Sequence, residues 1–192
     1  MPSPLRDKYE QVYLKDRAAW RKWLAKHHTS APGIWLIYPK KETGEPRVEY
    51  NDAVEEALCF GWIDSTMMPL DAGRYMQLFT PRKPKSAWAK SNKERVERLI
   101  AQKLMTAAGL AKIEEARQNG SWTALDSVES LTIPPELKKA LTAARALNNF
   151  KAFTPSVQKQ MLFWLNSAKR DETRAARIAK IVAKAVAKDN KL

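Results

Sequence analysis

Residues 74–88 read RYMQLFTPRKPKSAW, and the chain changes character inside them. Up to Phe79 the segment is rich in residues that suit a pleated, half-buried surface. Beyond it Pro81 and Pro84 fix the backbone, and only helical periodicity follows to the end of the chain. Arg74–Phe79 is therefore read as a strand and Thr80–Trp88 as a stiff corner that Trp88 anchors in the core.

Upstream, Trp62-Ile63-Asp64-Ser65-Thr66 reads as a partner strand, joined through Pro69-Leu70-Asp71-Ala72-Gly73 as a hairpin connection. Ile34–Tyr38, after Pro32-Gly33, is a third β-rich run. Between these lies a short helix with Ala53, Val54, Ala57, Leu58 and Phe60 as apolar residues. Asn51 or Asp52 is its cap, Asp52 and Glu55 have capping-box spacing, and Gly61 is its stop. Tyr13, Trp20, Trp23, Leu24 and His27 recur at helical spacing, which predicts a first helix from about Asp7 to His28.

Downstream, Ser91 with Glu94 predicts a capped helix, Thr106 caps another that Gly120 closes, and further helices begin near Pro135, Pro155 and Asp171, with Thr154 as the cap before Pro155 at N1. The expected class is α+β: a small antiparallel or mixed sheet of about three or more strands packed with helices, then a helical C-terminal region. The expected organisation is an α+β domain over 1–120 with its motif region at 53–92, a linker over 121–135, and helices over 136–192.

The net charge of +13 favours attraction to polyanions and carries no information about fold. The excess is uneven: Arg82, Lys83, Lys85, Lys90, Lys93 and Arg95 face Glu94 alone within 82–95, and residues 169–192 are again strongly basic. No run approaches the roughly 18 apolar residues of a membrane span, and the start MPSPLRDKYE lacks a secretion signal, so a cytoplasmic protein without membrane partners is expected. The single cysteine, Cys59, sits in an apolar run and fits a reducing compartment as a core residue.

Several chemistries lack their residues. His27 and His28 are adjacent and have no partner ligand at metal spacing, so no metal is expected. The glycines never group into GxGxxG or a P-loop, no Gly-x-Ser-x-Gly elbow exists, and no cofactor is expected.

Two constellations remain. Asp64, Arg74, Arg82, Ser86, Trp88 and Asn92 lie on elements that a strand pair brings near one another. They read either as a structural ion pair with tryptophan packing or as a polar pocket for a small anion at the strand ends. In the last helix Arg174, Arg177, Lys180, Lys184 and Lys188 form one basic ridge, either a solvated amphipathic face or a surface that tracks phosphates.

With these residues in hand, the chain resembles the YdeI/OmpD-associated family, labelled bacteriocin-protection proteins. The resemblance rests on Gly33-Ile34-Trp35-Leu36, on Ala53–Asp64, on Phe79-Thr80-Pro81-Arg82-Lys83 with Ser86, Trp88 and Asn92, and on Trp164-Leu165, Ala168-Lys169-Arg170 and Glu172-Thr173-Arg174 with Arg177-Ile178. It implies a YjbR/CyaY-like small sheet packed with helices, and a link to envelope stress or antimicrobial tolerance. Ala89 and Ser65 depart from the family pattern, which commonly has Ser and Gly there.

Three functions follow as expectations: a cytosolic protein that binds a small anionic ligand in a polar pocket, a nucleic-acid-binding protein using 82–95 and 169–192, or an enzyme with Asp64 as acid or base. The sequence leaves the oligomeric state open.

Overall fold

The computed structural model of the chain describes residues 5–190. The first four residues of the start read above for a secretion signal, and the last two of the basic C-terminal segment, lie outside that range. The chain divides into two compact units, residues 1–122 and 123–192.

The first unit runs β1 (Glu10–Tyr13), α1 (Arg17–His27), β2 (Ile34–Pro39), a 3-10 turn (Lys41–Thr43), α2 (Tyr50–Cys59), β3 (Trp62–Pro69), β4 (Arg74–Pro81), α3 (Lys90–Ala101) and α4 (Ala107–Gln118). One four-stranded sheet has the order β1-β2-β4-β3, with β1 parallel to β2 and the other neighbours antiparallel. The fold is α+β with a mixed sheet, and only helices follow β4.

The single helix expected over 7–28 is corrected to a strand followed by a helix. Asp16 takes an extended backbone and its carboxylate accepts the Ala19 N–H at 2.8 Å, so it caps α1 and ends any helix upstream. Glu10–Tyr13 instead pairs with Ile34–Ile37 along the edge of the sheet. The two expected capping boxes are also absent: Asp52 lies inside α2 and bonds Arg17, and α3 starts from Ala89 with no side-chain cap. The Thr106 and Thr154 caps are present, accepting from Gly109 and Val157.

Strand β2 is buried on both faces, which is why IWLIY reads as a continuous apolar run rather than an alternation. Ile34, Leu36 and Tyr38 join the main core under α1 and α2, together with Trp20, Leu24, Val54, Leu58, Trp62 and Phe79. Trp35 and Ile37 face the other way and pack with Met76, Leu78, Met68, Leu5 and Tyr9. The buried indoles are satisfied as their burial requires: Trp20 donates to Ala53 O at 3.0 Å and Trp62 to His28 O at 3.1 Å.

Helices α1 and α2 are joined by charge as well as by apolar packing. The Glu56 carboxylate, whose side chain is only 3% exposed, takes Arg17 Nε at 2.7 Å and Arg21 at 2.6 Å. A buried carboxylate needs such complete pairing, because an unpartnered one would carry its full desolvation cost. Helix α4 passes the end of α2 so closely that a Cβ on Gly109 would stand 2.3 Å from the Cys59 carbonyl oxygen.

The second unit holds α5 (Asp126–Glu129), α6 (Pro135–Ala143), α7 (Leu147–Ala152), α8 (Pro155–Asn166) and α9 (Asp171–Ala187). Its core is Leu137, Leu141, Phe150, Met161, Leu162, Leu165, Ile181 and Ala185, all fully buried, with α9 packed on α6, α7 and α8. Within residues 121–135, Ser121 and Val128 are buried and α5 forms.

Candidate functional site: a basic loop beside the outer face of the sheet

The chain leaves β4 through Thr80 and Pro81 and immediately buries Arg82, which is only 4% exposed. Its backbone N–H bonds Gly61 O at 2.9 Å, continuing the line of β4 by one residue. The guanidinium lies 3.7 Å from the centroid of the Trp88 ring and donates to the carbonyls of Ser86 at 3.4 Å and Ala87 at 3.0 Å. No carboxylate pairs with it among the described residues. Burial pulls its pKa down to about 10, and the charge of Asp64 opposes that pull, so the group is still cationic at neutral pH.

Arg82 is thus a pin that closes the loop from Lys83 to Trp88 onto itself. The loop is tied from outside as well. Asn119 donates to Pro84 O at 2.6 Å, Ser121 donates to the same oxygen at 3.4 Å, and the Trp88 N–H bonds Ser121 O. Trp88 is buried and tilted against Trp122 at 5.0 Å. A segment fixed at this many points presents its side chains in one arrangement, which lowers the entropy cost of binding.

Those side chains are Lys83, Lys85 and Ser86, which border a cleft of about 670 Å³ on the sheet face away from the main core. The hydroxyls of Ser65 and Thr80 add polar groups, and Tyr9, Ile63 and Leu78 supply the apolar floor. Ile63 and Thr80 are register partners across β3 and β4, so alternation alone puts them on one face. Neither lysine is paired with a carboxylate among the described residues. Gly33 shapes the end of the cleft: a Cβ there would meet Thr80 at 2.8 Å and Tyr9 at 2.9 Å.

The other expected site residues fall elsewhere. Asp64 pairs in register with Phe79 and turns to the helix-covered face, where its Oδ2 accepts from Tyr50 at 3.0 Å and buried Gln77 at 2.8 Å. Arg74 opens β4 and is bound to Asp71 in the hairpin turn at 2.6–2.8 Å, about 26 Å along the strand direction from Arg82. Asn92 sits in α3 and accepts from Arg95 at 3.1 Å. The structure therefore brings Arg82, Ser86 and Trp88 together, leaves Asp64 in reach of Arg82 only through its field, and separates Arg74.

Beside Asp64, the Tyr38 hydroxyl is buried without a hydrogen-bond partner among the described residues, and its ring stacks on Tyr75 at 5.0 Å. Burial first, and then the neighbouring Tyr75 and Asp64 charges, push its pKa upward. Burial likewise raises Tyr50, with Asp64 adding to the shift.

In the second unit the basic ridge is largely engaged. Arg174 holds Glu136 and donates to Leu165 O, and Arg177 donates to the Trp164 carbonyl and to Ser167 Oγ at 2.7 Å, so both satisfy the last turn of α8. Lys184 holds Asp189 at 2.9 Å, Lys188 is the left-handed C-cap of α9, and Lys180 is exposed. Among the described residues no group of His, Cys, Asp or Glu could hold a metal ion, and no helix is long and apolar enough to cross a membrane.

A mixed α+β unit with a pinned basic loop, followed in the chain by an all-helical unit, is the class that fold and site define. Residues 12–112, more than half of the chain, match the family model described as Domain of unknown function (DUF8412), and the chain belongs to that family. Residues 130–188 match the model described as Bacteriocin-protection, YdeI or OmpD-Associated, so the helical C-terminal part supports the YdeI/OmpD-associated resemblance. The motifs around Trp62 and Arg82 fall inside the first match rather than the second, and neither match speaks for a YjbR/CyaY-like relationship. No curated protein and no solved structure matches the chain.

Proposed function

We propose that the first unit binds a small anion with an apolar body in the cleft beside Lys83, Lys85 and Ser86. The observation that carries this reading is a pair of lysines, unpaired among the described residues, on a loop that Arg82, Asn119 and Ser121 hold in place. The anion meets the two ammonium groups and the Ser86, Ser65 and Thr80 hydroxyls, and the body lies on Tyr9, Ile63 and Leu78. A volume of about 670 Å³ suits a metabolite-sized ligand.

Binding is favoured over turnover because Asp64, the carboxylate best placed to act as acid or base, faces the opposite side of the sheet. The nucleic-acid reading has less support, since Arg174 and Arg177 are committed to intramolecular partners. Cytoplasmic residence belongs to the same proposal and rests on the single cysteine being buried. The bacteriocin-protection wording of the C-terminal match makes a ligand whose level changes under envelope stress the first to screen.

The test is charge reversal. Ligands found by titrating phosphorylated and carboxylated metabolites lose binding to Lys83→Glu/Lys85→Glu and keep it with Asp64→Asn. Equal affinity for wild type and the double reversal would remove the basis of the proposal.

A further inference from the structure

The second unit carries a cleft that the loop at 83–86 does not explain. Gln160, Phe163, Trp164 and Ser167 stand at i, i+3, i+4 and i+7 on α8 and so share one face of that helix. Facing them, α9 presents Lys180, Ala183 and Lys184, again on one face. The space between is about 660 Å³.

Phe163 is 54% exposed, whereas its neighbours Met161, Leu162 and Leu165 are fully buried. The core of this unit therefore does not use Phe163, although a phenyl ring left in water forgoes a large burial term. Trp164 is held rigidly beside it. Arg177 stacks at 4.9 Å from the Trp164 ring while bonding its carbonyl, so the aromatic wall does not need to order on binding. Ala183 keeps the opposite wall low.

The charge at the rim has one sign. Lys180 and Lys184 line the cleft, and among the described residues no carboxylate does. Lys184 already reaches a carboxylate, that of Asp189, at 2.9 Å, and Lys180 has no acidic partner among the described residues. A cleft walled by Phe163, Trp164 and Ala183, with two lysines on its α9 side, is complementary to an aliphatic chain with an anionic head. It rejects a cationic amphiphile by charge.

We propose that the α8–α9 cleft binds a single-chain anionic amphiphile, with its head at Lys180 and Lys184 and its chain along Phe163, Trp164 and Ala183. The site is separate from the anion cleft of the first unit, and neither depends on the other.

Calorimetric titration of the full chain with dodecanoate below its micelle concentration tests it, with octanoate and dodecyltrimethylammonium alongside. Dodecanoate binds, affinity grows by about two- to fourfold per methylene from octanoate upward, and the cationic amphiphile fails to compete. Lys180→Gln/Lys184→Gln weakens dodecanoate at least about tenfold, the scale of a lost charge-assisted contact. Phe163→Ala weakens it severalfold, and binding persists in Lys83→Ala/Lys85→Ala. Trp164→Phe keeps most of the affinity while removing the tryptophan fluorescence change on binding, and unchanged melting profiles show that each variant is folded. The proposal is overturned by unaltered affinity in the lysine variant, by loss of binding in Lys83→Ala/Lys85→Ala instead, or by binding to anionic phosphatidylglycerol vesicles without binding to monomeric dodecanoate.

Discussion

The Arg82 guanidinium lies 3.7 Å from the centroid of the Trp88 ring, buried and without a carboxylate partner among the described residues. A charge in that position survives because the ring face and the carbonyls of Ser86 and Ala87 replace its water. The contact turns the exit of β4 into a closed loop, and the cleft beside it inherits its shape from that closure.

Removing the pin should therefore cost stability as well as binding. Arg82→Ala lowers the unfolding free energy of the first unit by about 2 kcal/mol, the net of a desolvated cation–π contact, charge-assisted hydrogen bonds and relief of the buried charge. Arg82→Lys recovers little, because an ammonium offers neither the flat face nor the fork of donors. Urea denaturation of the three proteins checks both statements.

Gly109→Ala is expected to be among the most damaging single-methyl additions in the protein. Its Cβ would stand 2.3 Å from Cys59 O, and backbone oxygen cannot swing aside. The loss should be about 1–3 kcal/mol, typical of overpacking. Gly73→Ala, whose Cβ meets nothing closer than 3.4 Å, is the control and should change stability by only a few tenths of a kcal/mol.

Tyr38→Phe should stabilise. The hydroxyl is buried with no partner, and an unmade hydrogen bond costs about 1–3 kcal/mol of desolvation. Removing the oxygen keeps the stacking on Tyr75. A rise in thermal midpoint is the expected result, and a fall of similar size would mean that the hydroxyl is satisfied in solution.

Cys59 gives a pH dependence of known sign. Burial, with the Glu56 charge adding and Arg21 opposing, raises its thiol from 9.0 to about 11. Between those values the unfolded chain has released the proton that the folded chain keeps, so this group makes stability fall as pH rises from 9 to 11 and has no effect below. Urea midpoints of wild type and Cys59→Ala should converge over that window. Native thiol labelling should stay slow until the window is passed.

The hairpin of β3 and β4, the helix start at Pro135, the Thr106 and Thr154 caps and the Gly120 stop were all legible, because each is set by residues close in sequence. The first strand was not. Tyr13 fits a helical stripe as well as a strand, and only pairing with Ile37 on a distant segment decides between them. Helices α5 and α7 are short, and each borders backbone that the sequence marks weakly: Leu131 just after α5 and Arg145 just before α7 take left-handed conformations without glycine.

For the site, the corner at Pro81 and Pro84 and the burial of Trp88 were readable, and so was the density of charge at 82–85. The bonding of Arg82 within its own loop was not legible, because its partners Ser86 and Ala87 accept through carbonyls and carry no side-chain signal. The one available signal for the cleft was alternation: Ile63 with Ser65, and Leu78 with Thr80, share the face opposite Asp64. The support from Asn119 and Ser121 has no sequence trace at all, since it depends on where α4 ends.

The most direct test of the account is a thermal-shift screen of phosphorylated and carboxylated metabolites against wild type and Lys83→Ala/Lys85→Ala. At a concentration near a hundred times Kd, linkage adds about 2.7 kcal/mol, or roughly 5–10 °C in a protein of this size. The account predicts at least one compound that raises the wild-type midpoint by that amount and the double variant by less than about a quarter of it. A screen in which no anion shifts wild type, or in which both proteins shift equally, contradicts it.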